Sequence, residues 1–387
     1  MVPVFDYLRD YEKHQNDFQD SIRRVIESGC LILGAEGRAF EEEFSKWVGV
    51  KHTVGCASGT DALVLALRAM AIGPGDEVIT TANGPVPTVA AIRMVGAIPR
   101  FVDIDPNSLQ MDPFHVSPAI GPKTRAILLV HLYGNPAPVE EIARIASTNN
   151  LILIEDCAQA HGAYVQGRHV GTTGSVGCFS FYPTKNLGAF GDGGACITND
   201  TVVSNRIRSI AHYGFEKGTR IASMDGVNSR LDELQAAILR SRLPRLGSAL
   251  LRREWIAETY SERLQGCRIQ LPQPLAKSRS SRHLFVVRTA HRDAWSKKLA
   301  SLGVQTALHY PNPVHNMPAY RDLGIQEGDL PFTEKACREV LTLPLFPELT
   351  DEEVALVIDS CIETDRAVND SGSIAEFSPP PKEAKLS

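Results

Sequence analysis

The clearest signal of fold in this sequence is the stretch RAILLVHLYGNPAPVEEIARIASTNNLILIED, residues 125–156. Two continuously apolar runs, 125–132 and 151–156, lie on either side of Val139–Ser147, whose apolar residues recur at helical spacing. Continuous apolar runs are typical of strands that are buried on both faces. Because parallel neighbours need a long crossover, this strand–helix–strand order predicts a parallel pair joined by a helix.

The same alternation extends in both directions from this stretch. Residues Thr60–Met70 have helical spacing and are followed by Gly73-Pro74-Gly75, which favours a helix end. Further short apolar runs predict strands at 52–58, 76–80, 99–105, 178–181 and 195–199. We therefore expect an α/β fold, in which a large domain with a mostly parallel central sheet flanked by helices precedes a smaller C-terminal α/β domain.

The predicted elements divide the chain into three parts. Residues 1–245 are expected to form the large domain, including N-terminal helices that contain the amphipathic stretch 36–49. Helical patterns dominate from about residue 229, and 246–368 is expected to form the smaller domain. The polar, proline-rich end, 369–387, is expected to be a disordered tail.

Composition and charge exclude several classes of protein. The chain has 387 residues, 43% of them apolar, with 40 Lys+Arg, 45 Asp+Glu and a formal net charge of −5. These values are ordinary for a globular protein and argue against nucleic acid as the main partner. The apolar stretches are shorter than a membrane helix requires, and the N-terminus does not resemble a signal peptide. Eight scattered cysteines without a C-x-x-C pair predict a reducing, cytoplasmic location and no metal site.

Motifs of several common enzyme classes are missing from the sequence. There is no Gly-Lys dipeptide for a Walker A loop, no H-E-x-x-H and no G-x-S-x-G. No G-x-G-x-x-G follows the first predicted strand. A Walker A phosphate loop is therefore excluded, and hydride transfer, zinc hydrolysis and serine hydrolysis have no support.

Ser58, Gly59 and Thr60 lie between a predicted strand and the predicted helix that follows it. Hydroxyl groups, the free N–H groups of a helix start and a glycine that allows close approach together suit a phosphate group. The alternative is an ordinary helix N-cap, which this motif alone favours. Ser180 offers another phosphate donor, with a core-facing serine as the alternative.

Asp156 stands at the carboxyl end of an apolar strand, where open α/β sheets place their ligands. A carboxylate at such a position must be paired, hydrogen-bonded or functional. A helix N-cap or a satisfied structural aspartate is equally compatible with the sequence. Gln159, three residues later, is either a polar group that contacts a ligand or a surface residue.

Lys185 follows a buried strand in the glycine-rich loop FYPTKNLGAFGDGG, 181–194. Most lysines are solvated and inert, but burial beside an aromatic strand end would lower the pKa of this one and make its amine a carbonyl nucleophile. A phosphate seat, a strand-end carboxylate and such a lysine together suit pyridoxal 5′-phosphate. The lysine forms a Schiff base with its aldehyde, Asp156 keeps its pyridine nitrogen protonated, and the helix start binds its phosphate.

The chain resembles the DegT/DnrJ/EryC1/StrS family of sugar aminotransferases over residues of about 30–365. The matching blocks, in order, are Gly34–Gly49, ASGTDAL, GPGDEVI, GAIPRFVDID, HLYGNPAP, IEDCAQAHGA, FSFYPTKNLGAFGDGGA, GVNSRLDELQAAIL and LPLFPELTDEE. The resemblance implies the aspartate aminotransferase-like architecture called fold type I. It also implies pyridoxal phosphate as cofactor and a homodimer with a shared active site.

The resemblance assigns roles to individual residues. Lys185 is similar to the family's Schiff-base lysine, Asp156 to the partner of the pyridine nitrogen, and Gln159 to the residue beside the cofactor hydroxyl. The residues that resemble phosphate ligands are Ser58, Gly59, Thr60, Ser180 and, from the neighbouring subunit, Asn228. The residues implied to lie near the sugar nucleotide, with a proline-rich surface loop as the alternative for the last three, are Tyr182, His309, Tyr310 and His315.

Two positions depart from the common family pattern. Pro85 stands where most members have an aromatic residue that stacks on the cofactor ring, and proline offers only its C–H face. Tyr182-Pro183-Thr184-Lys185 differs from the S-F-H-P-x-K of many members that act at C4 of the sugar, and is more like members that aminate 3-keto nucleotide sugars. Lys185 also separates the chain from the family's deoxygenating branch, where histidine replaces the lysine.

The resemblance therefore implies a transaminase. It would move an amino group from an amino acid, expected to be L-glutamate, to a keto sugar of a nucleoside-diphosphate sugar, expected to be a 3-keto sugar. The alternatives are a 4-keto nucleotide-sugar or cyclitol aminotransferase, a lyase or aldolase that uses the same cofactor on the same fold, and a cofactor-binding regulator without catalysis.

Overall fold

The computed structural model describes residues 1–370, and within them a seven-stranded sheet forms the centre of the fold. The strands in chain order are β1 His52–Cys56, β2 Glu77–Thr80, β3 Ile98–Phe101, β4 Thr124–Val130, β5 Ile152–Asp156, β6 Tyr164–Val165, β7 Arg168–His169, β8 Val176–Ser180, β9 Gly194–Thr198, β10 Ser278–Arg279, β11 Phe285–Arg288 and β12 Val340–Leu343. The central sheet has the order β1-β9-β8-β5-β4-β2-β3.

The described helices surround this sheet and continue to the C-terminal side. They are α1 Tyr7–Lys13, α2 Gln15–Ser28, α3 Ala35–Val48, α4 Gly59–Ala69, α5 Val86–Met94, α6 Pro113–Ala119, α7 Val139–Thr148, α8 Thr201–Ala211, α9 Glu233–Arg242, α10 Leu246–Arg263, α11 Arg292–Ser301, α12 Pro331–Glu339 and α13 Asp351–Asp370. Among residues 1–370, every helix is too short or too polar to span a lipid bilayer.

The central sheet is mostly parallel, as the alternating pattern predicts. The pairs β2–β3, β2–β4, β4–β5 and β5–β8 are parallel, whereas β9 is antiparallel to both β8 and β1. Of the strands described in this sheet, β9 therefore runs against the others. Its direction follows from its connection, because residues 181–193 contain no helix that could carry the chain back across the sheet.

Helices cover both faces of the central sheet, which confirms the predicted layered architecture. Successive residues of one strand point to opposite faces. Cys178 lies in the cluster beneath α4 and α8, while Phe179 packs against Phe44 of α3 on the other face. The continuous apolar runs of the sequence are therefore strands buried on both sides.

The C-terminal part contains a small sheet with its own apolar cluster. Strands β11 and β12 pair antiparallel, and their inner side chains pack with Trp295, Tyr260 and Phe346. Val2 and Phe5 also join this cluster, so the first residues of the chain pack on the C-terminal part. The boundary at residue 246 coincides with the start of α10 and stays a prediction.

The predicted tail at 369–387 is only partly covered by the structure. Helix α13 continues through its first two positions to Asp370. Residues 371–387 lie outside the described residues.

A buried carboxylate holds the turn that precedes β8. Glu155 accepts hydrogen bonds from the N–H groups of Gly171, Thr173 and Gly174 at 2.7, 2.9 and 2.6 Å, and Nε2 of His131 lies 2.9 Å from its Oε2. Nδ1 of His131 accepts from the N–H of Ala137, so Nε2 carries the hydrogen. Burial raises the pKa of Glu155, but these hydrogen bonds outweigh burial and lower it below its usual value.

Glu155→Gln replaces one acceptor oxygen with an NH₂ group that faces N–H donors. We expect the free energy of unfolding to fall by about 2–3 kcal/mol, because a buried donor is left without an acceptor. Urea denaturation measures this change. Glu140→Gln, which removes a largely exposed ion pair with Arg168, should change it by less than about 1 kcal/mol. Equal losses in the two variants would contradict the structural role of Glu155.

Candidate active site

The first residues of α4, at the end of β1, form a seat whose free donors suit an anion. Ser58 is the N-cap, and its Oγ accepts from the N–H of Asp61 at 3.1 Å. The N–H groups of Gly59 and Thr60 precede that donor and have no acceptor within the helix. A Cβ on Gly59 would lie 2.6 Å from Cβ of Ser180, so only glycine allows β8 and α4 to approach this closely. The structure thus brings the four predicted phosphate ligands of this chain together.

Ser229 ties a distant segment to this seat. Its Oγ accepts from the N–H of Ala57 at 3.1 Å and donates to Oδ2 of Asp61 at 2.7 Å. Ser229 was not predicted as a site residue, although it lies in the GVNSRLDE block directly after Asn228. Asn228 itself is exposed, and its expected role toward another subunit stays a prediction.

Asp156 ends β5 and is buried, with 3% of its surface exposed. Its Oδ2 accepts from Oγ1 of Thr88 at 2.8 Å, and its Oδ1 accepts from the N–H of Ala158 at 3.1 Å. Burial raises the pKa of Asp156, and the two hydrogen bonds and the charge of Lys185 offset only part of that rise. Thr88 was not predicted as a site residue, because no sequence pattern shows that the start of α5 reaches the end of β5.

Lys185 lies in the tight loop 181–193 between β8 and β9. Its N–H donates to the carbonyl of Tyr182 at 2.8 Å, and the loop ends are joined where Phe181 donates to Gly193 at 2.7 Å. Burial lowers the pKa of Lys185 to about 8, while the nearby charge of Asp156 raises it in part. With a pKa of about 8, roughly a tenth of this amine is neutral at pH 7 and about half at pH 8, whereas an ordinary lysine is almost fully charged at both.

Residues 280–284 join three loops of the site through hydrogen bonds. Nδ2 of Asn186 donates to the carbonyl of Ser281 at 2.8 Å, and Oγ of Ser281 donates to the carbonyl of Gln159 at 3.1 Å. The N–H of Ser281 and Oγ of Ser280 both donate to the carbonyl of Gly134, at 2.9 and 3.0 Å. Sequence reasoning missed this segment, since each contact joins residues far apart in the chain.

Gln159 connects the end of β5 to residues 309–310. Its Oε1 accepts from the N–H of Tyr133 at 2.6 Å, and its Nε2 donates to the hydroxyl of Tyr310 at 3.0 Å. Burial raises the pKa of Tyr310 to about 12, so the hydroxyl is protonated near neutral pH. Nδ1 of His309 lies 2.9 Å from Oγ1 of Thr342, and burial together with the charge of Lys185 lowers its pKa.

His315 and Tyr182, both expected to lie near the sugar nucleotide, have contrasting surroundings. His315 is buried with 1% of its surface exposed, beside Phe101 and with Nε2 3.3 Å from Oε1 of Glu334. Within residues 1–370, no hydrogen bond or ring contact joins it to Lys185, Asp156 or Gln159. Tyr182 is 52% exposed on the loop that carries Lys185.

Pro85 is the N-cap of α5, three residues before Thr88. Since Thr88 contacts Asp156, the start of α5 lies over the end of β5, where a ring paired with Asp156 would be bound. Pro85 therefore lies at the start of α5, where the family resemblance places the residue that stacks on the ring.

These groups fit pyridoxal 5′-phosphate. The seat at the start of α4, where only glycine fits at position 59, suits a phosphate. The buried Asp156 suits a protonated ring nitrogen, and the amine of Lys185 suits an aldehyde.

The model of the DegT/DnrJ/EryC1/StrS aminotransferase family matches residues 12–361. The chain belongs to this family. The predictions of family, fold, cofactor and enzyme class are confirmed: the protein is a pyridoxal phosphate-dependent aminotransferase with a mostly parallel central sheet.

Curated relatives and solved structures of this family match nearly the whole chain. A dTDP-3-amino-3,4,6-trideoxy-alpha-D-glucose transaminase of Streptomyces venezuelae is 43% identical over 363 residues, which cover 94% of this chain and 96% of that protein. A UDP-N-acetyl-3-dehydro-alpha-D-glucosamine 3-aminotransferase of Acidithiobacillus ferrooxidans is 41% identical over 356 residues, 92% of this chain and 96% of that protein. The crystal structure of S. venezuelae DesV in complex with a ketimine intermediate has a TM-score of 0.92 and 43% identity, and covers 94% of this chain and 98% of that one.

Lys185→Ala removes the amine from the site. We expect no borohydride-trappable adduct with pyridoxal phosphate at this position, and a fall in kcat of at least about a thousandfold, because both the covalent link and the proton-transferring group are lost. Peptide mass spectrometry after borohydride reduction locates the adduct. Lys123→Ala, at an exposed lysine, is the matched control and should leave adduct and rate unchanged. Full activity of Lys185→Ala would contradict the assignment.

The lowered pKa of Lys185 predicts a characteristic pH dependence. The rate at which the apoenzyme forms its adduct with pyridoxal phosphate should rise as the pH rises through about 8, because only the neutral amine attacks. An exposed lysine would instead titrate near about 10.4. Asp156→Asn removes a charge that raises the pKa of Lys185, so the midpoint should move to lower pH. Stopped-flow absorbance measures both curves, and a midpoint near 10 or a shift to higher pH would contradict this electrostatic account.

Proposed function

We propose that this aminotransferase transfers an amino group from L-glutamate to the 3-keto carbon of a sugar attached to a nucleoside diphosphate. The observation that carries the proposal is the amine of Lys185, with its pKa lowered to about 8, beside the buried carboxylate of Asp156. The two curated relatives named above support the keto position, since their names place the amino or keto group at carbon 3. The Tyr182-Pro183-Thr184-Lys185 sequence supports the same position.

The proposed cofactor contacts follow from the geometry of the site. Ser58, Gly59, Thr60 and Ser180 would bind the phosphate, Asp156 would pair with the pyridine nitrogen, Gln159 would lie beside the ring hydroxyl, and Pro85 would pack on the ring face. When bound, pyridoxal phosphate supplies an aldehyde that holds the amino group and a ring that accepts the electron pair released at the substrate carbon.

Lys185 carries the proton in both halves of the proposed reaction. In the first half, neutral Nζ would take the proton from the α-carbon of the amino acid and pass it to the former aldehyde carbon of the cofactor. In the second half, Nζ would take a proton back from that carbon and deliver it to the former keto carbon of the sugar. A pKa of about 8 suits both steps, because an acid–base group works best when its pKa is near the working pH.

The sugar side of the proposed site consists of Tyr182, His309 and Tyr310. His309 and Tyr310 are held by Thr342 and Gln159, so their polar groups are oriented before a substrate arrives. We leave His315 out of this set, because its side chain is buried against Phe101 and Glu334.

We also propose that the enzyme is a homodimer in which Asn228 of one subunit reaches the phosphate seat of the other. Leu31, Ile32 and Leu33 expose 52%, 41% and 49% of their surfaces, which is unusual for consecutive apolar residues. The carboxylate of Glu233 accepts from the N–H groups at positions 34, 36 and 37 at 2.7–2.9 Å and holds this apolar loop in place. A second subunit would cover it.

A cytoplasmic location is part of the proposal. All eight cysteines, each within the described residues, are free thiols, and seven of them are at least partly buried. Free cysteines are typical of proteins in a reducing compartment.

The proposal is tested with the purified holoenzyme, L-glutamate and a panel of 3-keto and 4-keto sugars on dTDP and UDP. We expect 2-oxoglutarate release that depends on a 3-keto acceptor, with kcat/KM at least about tenfold above that of the 4-keto sugars, because a misplaced carbon loses the alignment that transfer requires. A coupled dehydrogenase assay and mass spectrometry of the sugar product measure this.

The other possible outcomes of this assay would each indicate a different function. Preference for 4-keto acceptors would overturn the keto position. Amino acid consumption without 2-oxoglutarate would indicate a lyase or aldolase, and a bound cofactor without turnover on any acceptor would indicate a regulator.

A further inference from the structure

The Asp156 carboxylate has one hydrogen-bond donor on each oxygen. Oγ1 of Thr88 lies 2.8 Å from Oδ2, and the N–H of Ala158 lies 3.1 Å from Oδ1. A hydroxyl has one hydrogen to donate, so the hydrogen of Thr88 is committed to Asp156. The carboxylate plane is fixed by two donors that come from different elements, α5 and the turn after β5.

Thr88 is well suited to hold another side chain still. It is 2% exposed and lies in the first turn of α5, where Pro85 and Pro87 restrict the backbone. Threonine is also stiff at χ1 because its Cβ is branched. Helix α5 packs against α4, whose start forms the phosphate seat, so the two ends of the cofactor site are joined through these helices.

The surroundings of Asp156 make its ionised form depend on the hydroxyl of Thr88. Within residues 1–370, the charged and titratable groups that favour the ionised form of this carboxylate are Lys185 and His131. Lys185 is neutral in part, and His131 is hydrogen-bonded to Glu155. Without Thr88, Oδ2 would lie in a dry site without its donor, and a carboxylate in that position favours the protonated form.

We propose that Thr88 is a positioning residue of the transamination site, which turns Asp156 toward the pyridine nitrogen and keeps the carboxylate ionised. The proposal rests on the role proposed above for Asp156. Thr88 does not itself touch substrate or the reacting atoms; it acts through the orientation and charge of Asp156. The protonation of the ring nitrogen should therefore depend on the Thr88 hydroxyl even when folding does not.

Thr88→Val removes the hydroxyl at nearly constant shape, and Thr88→Ser retains it. Each holoenzyme is loaded with pyridoxal phosphate that carries ¹⁵N in the ring, and the ¹⁵N chemical shift reports whether that nitrogen is protonated. Wild type and Thr88→Ser should give the protonated shift, and Thr88→Val should move toward the unprotonated one. The rate constant of the glutamate half-reaction should fall about tenfold to a hundredfold in Thr88→Val with little change in KM, and Thr88→Ser should stay within about threefold of wild type.

Controls separate this role from folding and from the proposed substrate. Thr148→Val, at an exposed threonine of α7, should behave as wild type, and thermal unfolding checks that each variant is folded. If Thr88→Val does not fold, the same measurements on Thr88→Ala decide. Because the shift and the half-reaction need no sugar, an error in the proposed sugar leaves them unchanged. Asp156→Asn should abolish the protonated signal, and its persistence there would contradict the role of Asp156 instead.

Two results would overturn the positioning role of Thr88. One is a protonated shift and a wild-type rate in folded Thr88→Val. The other is equal loss in Thr88→Val and Thr88→Ser, since the serine variant retains the hydroxyl.

Discussion

The charge interaction between Lys185 and Asp156 is the constraint on which the site depends. Burial disfavours the charged form of both groups: it lowers the pKa of the amine and raises that of the carboxylate. Each charge in turn opposes the effect of burial on the other. The balance leaves an amine that is neutral often enough to react, next to a carboxylate that needs hydrogen-bond donors to stay ionised. A water-filled site would screen this interaction and remove both properties.

The fold brings the two groups together through the direction of its strands. Strands β5 and β8 are parallel neighbours, so their last residues, Asp156 and Ser180, lie at the same edge of the sheet. Strand β9 runs the other way, and the loop between β8 and β9 therefore turns back across that edge with Lys185 on it. The 280–284 segment then joins this loop to the loops after β4 and β5. Elements from distant parts of the sequence thus hold one small group of polar atoms.

Much of this arrangement could be predicted from local patterns. Continuous apolar runs with helices between them indicated a parallel sheet, and polar residues at the ends of those runs indicated the ligand-binding edge. Ser58, Asp156 and Lys185 each lie at such an end. His315 shows the limit of this reasoning: the family resemblance implied a place near the sugar nucleotide, yet its ring is buried against Phe101, a residue more than two hundred positions earlier in the chain.

By itself, the sequence determined the strand–helix alternation, the chemical types of the groups and their order along the chain, because these depend on side-chain periodicity and on residues close in sequence. Only the tertiary structure decided which donors reach Asp156, how Gln159 is shared between Tyr133 and Tyr310, and that residues 280–284 join the site loops. It also decided how far burial lowers the pKa of Lys185 and how much the charge of Asp156 opposes that shift. Hydrogen bonds and burial depend on distances between residues that are far apart in the chain, and no local pattern encodes those distances.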